Sequence, residues 1–327
     1  MARLKVGVIG VGTMGINHVR NYADESGRFN LVGVYDSDAM RAERVAEQFH
    51  TVPFRSIDDL LDVVDAVSVV TPSSLHKEMG LRVAEHGVHA LIEKPLALNS
   101  ADAETLMRAF EDKNLKLQVG HIERFNPVVT ELEKLVDPSK VFFIETHRYG
   151  PFSGNGRITD SSVVEDLMIH DIDLVCHIMC PLAITDISAN GEILRSQNVD
   201  FATSMLKFGD YAHAVISVSR ISQSKERTIT VHTEDSCISA DLLLKTLTIS
   251  KNTDMVGDGV NNSTFRQDGV VQRVFVPIQE PLRQELLTFY EVVMSGAECP
   301  VSGEVGTEAV RLCERVVERI QSKKLAV

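Results

Sequence analysis

The sequence predicts an α/β fold: a doubly wound parallel sheet, followed by an α+β domain built on an open, mostly antiparallel sheet. Over residues 1–121, short apolar strands alternate strictly with segments of helical period, the pattern of a parallel sheet with helices on both faces. Beyond residue 121 most of the chain alternates with period two, strand after strand with few helices, which suggests antiparallel pairing. At 327 residues the chain is long enough for two cores. The expected domains are therefore 1–121 and 122–327.

In the first domain, Leu4-Lys5-Val6-Gly7-Val8-Ile9 is a strand, and Met14 to Ala23 has helical spacing. Phe29 to Tyr35 is the second strand and Ala39 to Phe49 the next helix. A weak strand near Val52-Pro53-Phe54 precedes a helix at Ile57–Val64, and Ala66-Val67-Ser68-Val69-Val70 is a buried strand. Ser74 to Glu85 is helical, with Gly87 as its C′ residue. The strand His89-Ala90-Leu91-Ile92, a helix from Ser100 to Asp112 and the strand Leu115–Val119 complete a set of six strands joined by helices. In the second domain Pro127–Asp137 and Val163–Met179 are helical. The strands are Val141–His147, Ile184–Ala189, Ala202–Phe208, Ala212–Val218, Thr228–His232, Leu244–Ile249 and Val270–Val276. Asn252 to Gly269 is polar and rich in Gly and Asn and reads as an exposed loop. Leu282–Met294 and Glu308–Ile320 are the closing helices.

Composition excludes several function classes. A net charge of −13 leaves no basic stripe for phosphates, so no nucleic acid is expected. The five cysteines have no zinc-finger spacing and read as reduced thiols of a cytoplasmic protein. Cys176, His177 and Cys180 read as helix packing, so no metal is expected. The chain runs straight into a strand, leaving no room for a signal peptide, and no apolar stretch is long enough to span a membrane.

The first chemistry-bearing motif is Gly10-Val11-Gly12-Thr13-Met14-Gly15. It follows a strand and opens a helix, the context of the dinucleotide fingerprint. The three glycines serve a tight turn, backbone approach to a pyrophosphate and close helix–strand packing. The alternative is a glycine-rich turn that binds nothing. Asp36 closes the second strand, where a carboxylate bonds ribose hydroxyls and repels a 2′-phosphate, so NAD is expected over NADP. Arg41, one helical turn on, softens that preference. Thr71, Pro72 and His76, at and after the end of the fourth strand, are assigned to the same cofactor edge. Glu93-Lys94-Pro95 ends the fifth strand. Pro95 keeps Lys94 out of the helical region, at the sheet edge where open α/β sheets hold ligands. A surface lysine before a proline is the bland alternative.

The second constellation opens a helix. Ser162-Val163-Val164-Glu165 reads as a capping box. Asp166, His170 and Asp173 follow at i, i+4 and i+7, hence on one face. Histidine suits proton transfer near neutral pH, and a carboxylate one turn away orients its ring. A merely solvated face is the alternative.

Gly10-x-Gly12-x-x-Gly15, Glu93-Lys94-Pro95 and Asp166-x-x-x-His170, in this order and spacing, resemble the Gfo/Idh/MocA oxidoreductases along the whole chain. The resemblance implies an N-terminal Rossmann domain and a C-terminal domain for substrate binding and oligomerisation. It implies an enzyme that binds NAD or NADP and moves a hydride to or from one carbinol carbon of a sugar, cyclitol or sugar nucleotide. Carried over residue by residue, it makes Lys94, Asp166 and His170 catalytic, places Glu93 and Lys94 against the cofactor and implies a cis Lys94–Pro95 bond. The segments 119–127 and 166–174 resemble the branch that oxidises UDP-N-acetylglucosamine at C3, whose 3-keto product goes to an aminotransferase. On that reading His121, Arg148, Tyr149, Asn155 and Arg157 are candidate substrate contacts, the arginines for a diphosphate. Relatives pair through the face of the C-terminal sheet, which implies a homodimer or homotetramer. An inositol or free-sugar dehydrogenase is the neighbouring reading, and an NAD(P)-binding regulatory protein the non-enzymatic one.

Overall fold

The structure, a computed structural model, describes residues 3–152, 161–257 and 265–324. The chain begins β1 (Leu4–Ile9), α1 (Thr13–Asp24), β2 (Phe29–Tyr35), α2 (Ala39–Phe49), β3 (Val52–Pro53), α3 (Ile57–Leu61) and β4 (Ala66–Val69). It continues with α4 (His76–Glu85), β5 (His89–Glu93), α5 (Ser100–Glu111) and β6 (Leu117–Gly120). These six strands form one parallel sheet in the order β3-β2-β1-β4-β5-β6. The connection from β3 to β4 crosses back over β2 and β1, so the winding reverses beside β1 and β4, and open α/β sheets hold their ligands outside the carboxyl ends of the strands at such a point.

Alternation along the strands builds a core on each face. Val6, Val8, Ala66 and Leu91 pack with Val19 and Tyr22 of α1. Ile9, Val67, Val69, Ala90 and Ile92 pack with Leu60, Val83 and Leu106. All of these are essentially removed from water, which is what a parallel sheet covered on both sides requires.

The remaining elements are α6 (Pro127–Glu133), β7 (Val141–Tyr149), α7 (Ile169–Met179), β8 (Ile184–Glu192), β9 (Phe201–Phe208), β10 (Ala212–Ser219) and β11 (Glu226–Thr233). They are followed by β12 (Cys237–Asp241), β13 (Thr246–Gly257), β14 (Phe265–Val274), α8 (Pro281–Met294) and α9 (Gly303–Lys324). The second sheet has eight strands in the order β14-β13-β12-β11-β7-β10-β9-β8. Only β7 and β10 pair in parallel; the other pairs are antiparallel. On β9 the inward residues Ala202, Ser204, Leu206 and Phe208 alternate with more exposed neighbours.

Three expectations need correction. The chain divides into units of residues 1–125 with 280–314, and 126–279 with 315–327, so the boundary drawn at residue 121 assigned the wrong unit to α8 and most of α9. Hydrophobic burial explains this: Leu282, Leu286, Phe289 and Tyr290 of α8 join the core on the α1 side of the parallel sheet. Phe29 and Tyr290 meet edge to face at 5.5 Å. The Val119 amide also donates to the Val301 carbonyl at 2.9 Å. Second, the described parts of Asn252–Gly269, residues 252–257 and 265–269, are strand and not loop. β13 and β14 pair as far as Met255↔Gln267 and Gly257↔Phe265, because backbone pairing needs no apolar side chains. Third, β12 is an unpredicted strand, too short and too polar for its alternation to stand out.

Candidate active site

The glycine loop is shaped for an anion. Gly10 has φ +89°, a left-handed conformation that favours glycine. A Cβ at Gly15 would lie 2.0 Å from the Gly10 carbonyl oxygen, so that position must be glycine for α1 to start there. A Cβ at Gly12, in contrast, would meet nothing within 4 Å. Gly12 also caps α1 without a side-chain bond, and the first turn carries no acid. The helix presents open space and a positive terminus, which fits a dinucleotide pyrophosphate. Val11, Thr13 and Met14 complete the turn, with Val11 buried and Thr13 exposed.

Asp36 lies at the end of β2, 8% exposed. Its Oδ2 accepts the Val11 amide at 2.9 Å and ties the strand end to the glycine loop. The Arg41 guanidinium reaches both carboxylate oxygens, at 3.2 and 3.3 Å. Asp38, not Asp36, caps α2 by accepting the Arg41 amide at 3.1 Å, so helix capping does not account for Asp36.

The Glu93-Lys94-Pro95 turn rests on a buried polar chain. Lys94 is half-buried, Pro95 is buried, and the bond between them is cis. The Lys94 amide donates to Glu93 Oε2 at 3.3 Å. Glu93 Oε1 meets His18 Nε2 at 3.1 Å. His18 Nδ1 meets Ser68 Oγ at 3.1 Å, which in turn meets the Tyr22 hydroxyl at 2.7 Å. Gly120 lies opposite Glu93 in the sheet, and a Cβ there would come within 3.0 Å of the Glu93 carboxylate. Burial pushes the Glu93 carboxyl up, but the His18 bond and the charges of His18, Lys94 and His76 outweigh it and hold the group below the usual carboxylate range. Glu285 of α8 is the opposite case. It is fully buried, and neither carboxyl oxygen has a partner among the described residues. Burial, reinforced by the charge of Glu93, holds Glu285 well above the usual range. Its backbone carbonyl accepts from Gln118 Nε2 at 3.1 Å.

The loop after β4 supplies Thr71 and Pro72. The Thr71 hydroxyl is buried and has no partner among the described residues, an orphaned polar atom of the kind a bound ligand satisfies. His76 differs from the expectation of a direct ligand. Its ring is 1% exposed and is taken up by two backbone carbonyls, those of Pro95 and Thr71. It links the loop after β4 to the turn after β5.

In the second unit the capping box forms. Glu165 accepts the Ser162 amide at 3.0 Å, and Ser162 Oγ accepts the Val164 amide at 3.1 Å. The residues that follow, Val164–Met168, form a π turn before α7. Such turns recur at functional sites because they displace side chains from regular helical positions. Here Asp166 is exposed and His170 half-buried, while Val164 and Met168 point inward. Asp173 is buried, 2% exposed, one turn beyond the half-buried His170 in the regular helix.

The substrate candidates fare less well. Arg148 is not a free cation on a strand end. It is 2% exposed and forked onto Asp171, Nε to Oδ2 and Nη2 to Oδ1 at 2.9 Å each, so its bidentate donors are spent inside the second unit. The Tyr149 hydroxyl donates to Ser217 Oγ at 3.0 Å, and its ring stacks on His147. His121 is buried, 1% exposed. Asn155 and Arg157 lie outside the described residues.

Sequence reasoning missed His18, Ser68, Tyr22 and Glu285. His18 stands three residues beyond Gly15, and Glu285 is a lone acid among Leu282, Leu286 and Phe289. An acid inside an apolar helical stripe was the available signal for Glu285.

Comparison with known proteins fits this geometry. A family model described as an oxidoreductase family with an NAD-binding Rossmann fold matches residues 4–121. The model of the GFO/IDH/MocA C-terminal domain matches residues 140–239. A UDP-N-acetylglucosamine 3-dehydrogenase of Acidithiobacillus ferrooxidans is 35% identical over 249 residues, covering 76% of this chain and 77% of the relative. A solved structure of the enzyme of that name from the same organism superposes with a TM-score of 0.89 at 29% identity, covering 98% of this chain and 99% of the other. A myo-inositol 2-dehydrogenase of Thermotoga maritima is 26% identical over 337 residues, covering 98% of this chain and 97% of the relative.

Proposed function

Because the chain belongs to the Gfo/Idh/MocA oxidoreductases, a family with an NAD-binding Rossmann fold, we propose that it oxidises C3 of UDP-N-acetylglucosamine to the 3-keto sugar. The observation that carries this reading is the 35% identity to an enzyme of that name across three quarters of both chains. It is supported by a half-buried lysine at the carboxyl edge of the sheet that bears the glycine loop.

The bound nicotinamide supplies the hydride acceptor. Gly10, Gly12 and Gly15 let the loop follow the pyrophosphate, and Asp36 receives the ribose hydroxyls. His170 takes the proton of the substrate hydroxyl as the C–H electron pair leaves that carbon. Lys94 donates a hydrogen bond to the same oxygen and stabilises the negative charge that develops there. Asp166 orients His170. Glu93 does not react: its bonds to His18 and to the Lys94 amide hold the turn in place. A keto sugar of this kind suits a following transamination. Self-association is assigned to the half-exposed face of the second sheet, where Phe142 and Met205 are 46% and 44% exposed.

The similarity to an inositol dehydrogenase over almost the whole chain favours a second reading, oxidation of a free cyclitol. A panel of UDP-sugars and free polyols, each with NAD+ and read by NADH absorbance, separates the two. Turnover with UDP-N-acetylglucosamine supports the first reading, and turnover confined to polyols overturns it. No turnover with any substrate would favour a regulatory NAD-binding protein.

A further inference from the structure

His76 begins α4, and its imidazole folds back under the loop it has just left. Nδ1 lies 2.7 Å from the Pro95 carbonyl oxygen, and Nε2 lies 2.9 Å from the Thr71 carbonyl oxygen. Those oxygens belong to the chain ends that emerge from β5 and β4, which are adjacent parallel strands. A carbonyl oxygen only accepts, so each contact calls for an N–H. A neutral imidazole carries one N–H and an imidazolium two. The ring is 1% exposed, so water does not stand in for a missing bond. The charged groups acting on it are Glu93, which favours the doubly protonated ring, and Lys94, which opposes it. Burial opposes it most and draws the group below the usual histidine value, against the Pro95 and Thr71 carbonyls, which both favour it. A ring with one N–H would set a lone pair against a carbonyl oxygen less than 3 Å away, and on that geometry the doubly protonated ring is the one that fits.

The same loop meets the glycine turn. A Cβ at Gly10 would fall 2.6 Å from the Val70 carbonyl oxygen and 3.0 Å from the Thr71 nitrogen. Movement of Thr71 is therefore felt at the dinucleotide loop, and movement of Pro95 is felt at Lys94.

We propose that His76 is a positioning residue whose two ring N–H groups staple the Thr71 loop to the Lys94-Pro95 turn and so set Lys94 against the cofactor edge. The inference rests on the reading of Lys94 given above. A one-ångström displacement of a positioned group costs on the order of a hundredfold in rate, so the staple matters although its ring touches no substrate.

The test uses the full chain, labelled with 15N at histidine and saturated with NADH. The staple predicts that both His76 ring nitrogens carry protons, seen as two N–H signals that are absent from His76→Phe. A single N–H on that ring overturns it. In parallel, His76→Phe and His76→Asn are compared with wild type for NADH affinity, by fluorescence titration, and for kcat. The expected result is a kcat lower by about tenfold to a hundredfold and weaker NADH binding, with His76→Asn, which keeps one donor, between Phe and wild type. Wild-type NADH affinity and kcat in His76→Asn overturn the staple, and that variant decides the matter if His76→Phe does not fold. Lys94→Ala is measured alongside. Wild-type turnover in Lys94→Ala would remove the catalytic reading of Lys94, while the N–H signals and NADH affinity would still decide the staple.

Discussion

Each unit of the molecule buries a charged cluster, and the two are built on opposite principles. In the second unit Arg148 and Asp171 match donor for acceptor, two parallel bonds at 2.9 Å between side chains that are 3% and 2% exposed. In the first unit Glu93 shares its surroundings with His18, His76, Lys94 and a second acid, Glu285, whose oxygens meet no partner among the described residues. A matched pair is what architecture alone needs. An unmatched acid beside an ionised one opposes folding, and such departures from local consistency concentrate at functional sites. The contrast sets the Glu93-Lys94 turn, where the proposed chemistry is placed, against Arg148, which has a matched structural partner in Asp171.

That contrast breaks most visibly at Asp171. Asp171→Ala should cost about 3–5 kcal/mol, because it strands a buried guanidinium; a chemical denaturation curve measures it. A loss below about 1 kcal/mol, in the range of an exposed ion pair, would mean that Arg148 is free after all. Next comes Glu93→Gln, which keeps the shape and removes the charge that His18 faces. It should lower kcat by about tenfold or more through misplacement of the Lys94 turn, with a small change in Tm, the reverse of Asp171→Ala, and steady-state kinetics beside a thermal scan shows which pattern holds.

Glu285→Gln should raise Tm. The folded carboxyl is held above its unfolded value near 4.3. Its contribution to stability is therefore fully present below that unfolded value and is lost as pH rises toward the raised folded value. The advantage of glutamine should accordingly grow from acidic to neutral pH, and a pH series of thermal scans with no such growth would show that Glu285 is not held protonated. The smallest expected effect is at Arg41, which is 44% exposed beside Asp36. Arg41→Ala should change stability by less than about 1 kcal/mol while raising the ratio of NAD+ to NADP+ in kcat/KM, since it removes the cation available to a 2′-phosphate.

The glycine loop, Asp36 and the Glu93-Lys94-Pro95 turn were legible in the sequence because each is local. Strand end, turn and helix start lie within a few residues, and the period changes around them. Most elements of the parallel sheet followed for the same reason. The surroundings of Glu93 were not legible: His18, Ser68 and Glu285 are 75, 25 and 192 residues away in the chain, and only the packing of helices on the sheet brings them together. Arg148 shows the converse error. Its residue type suggested a phosphate ligand, but the strand carries it inward to Asp171. The π turn at Val164–Met168 escaped as well, because the apolar spacing of that segment reads equally as a regular helix.

The most direct measurement follows the hydrogen itself. The full chain is incubated with NAD+ and UDP-N-acetylglucosamine deuterated at C3, and the NADH formed is weighed by mass spectrometry. The proposed reaction predicts NADH carrying the deuterium and a 3-keto sugar that has lost it. Deuterium left in the sugar, or no NADH at all while an inositol is oxidised under the same conditions, would contradict it.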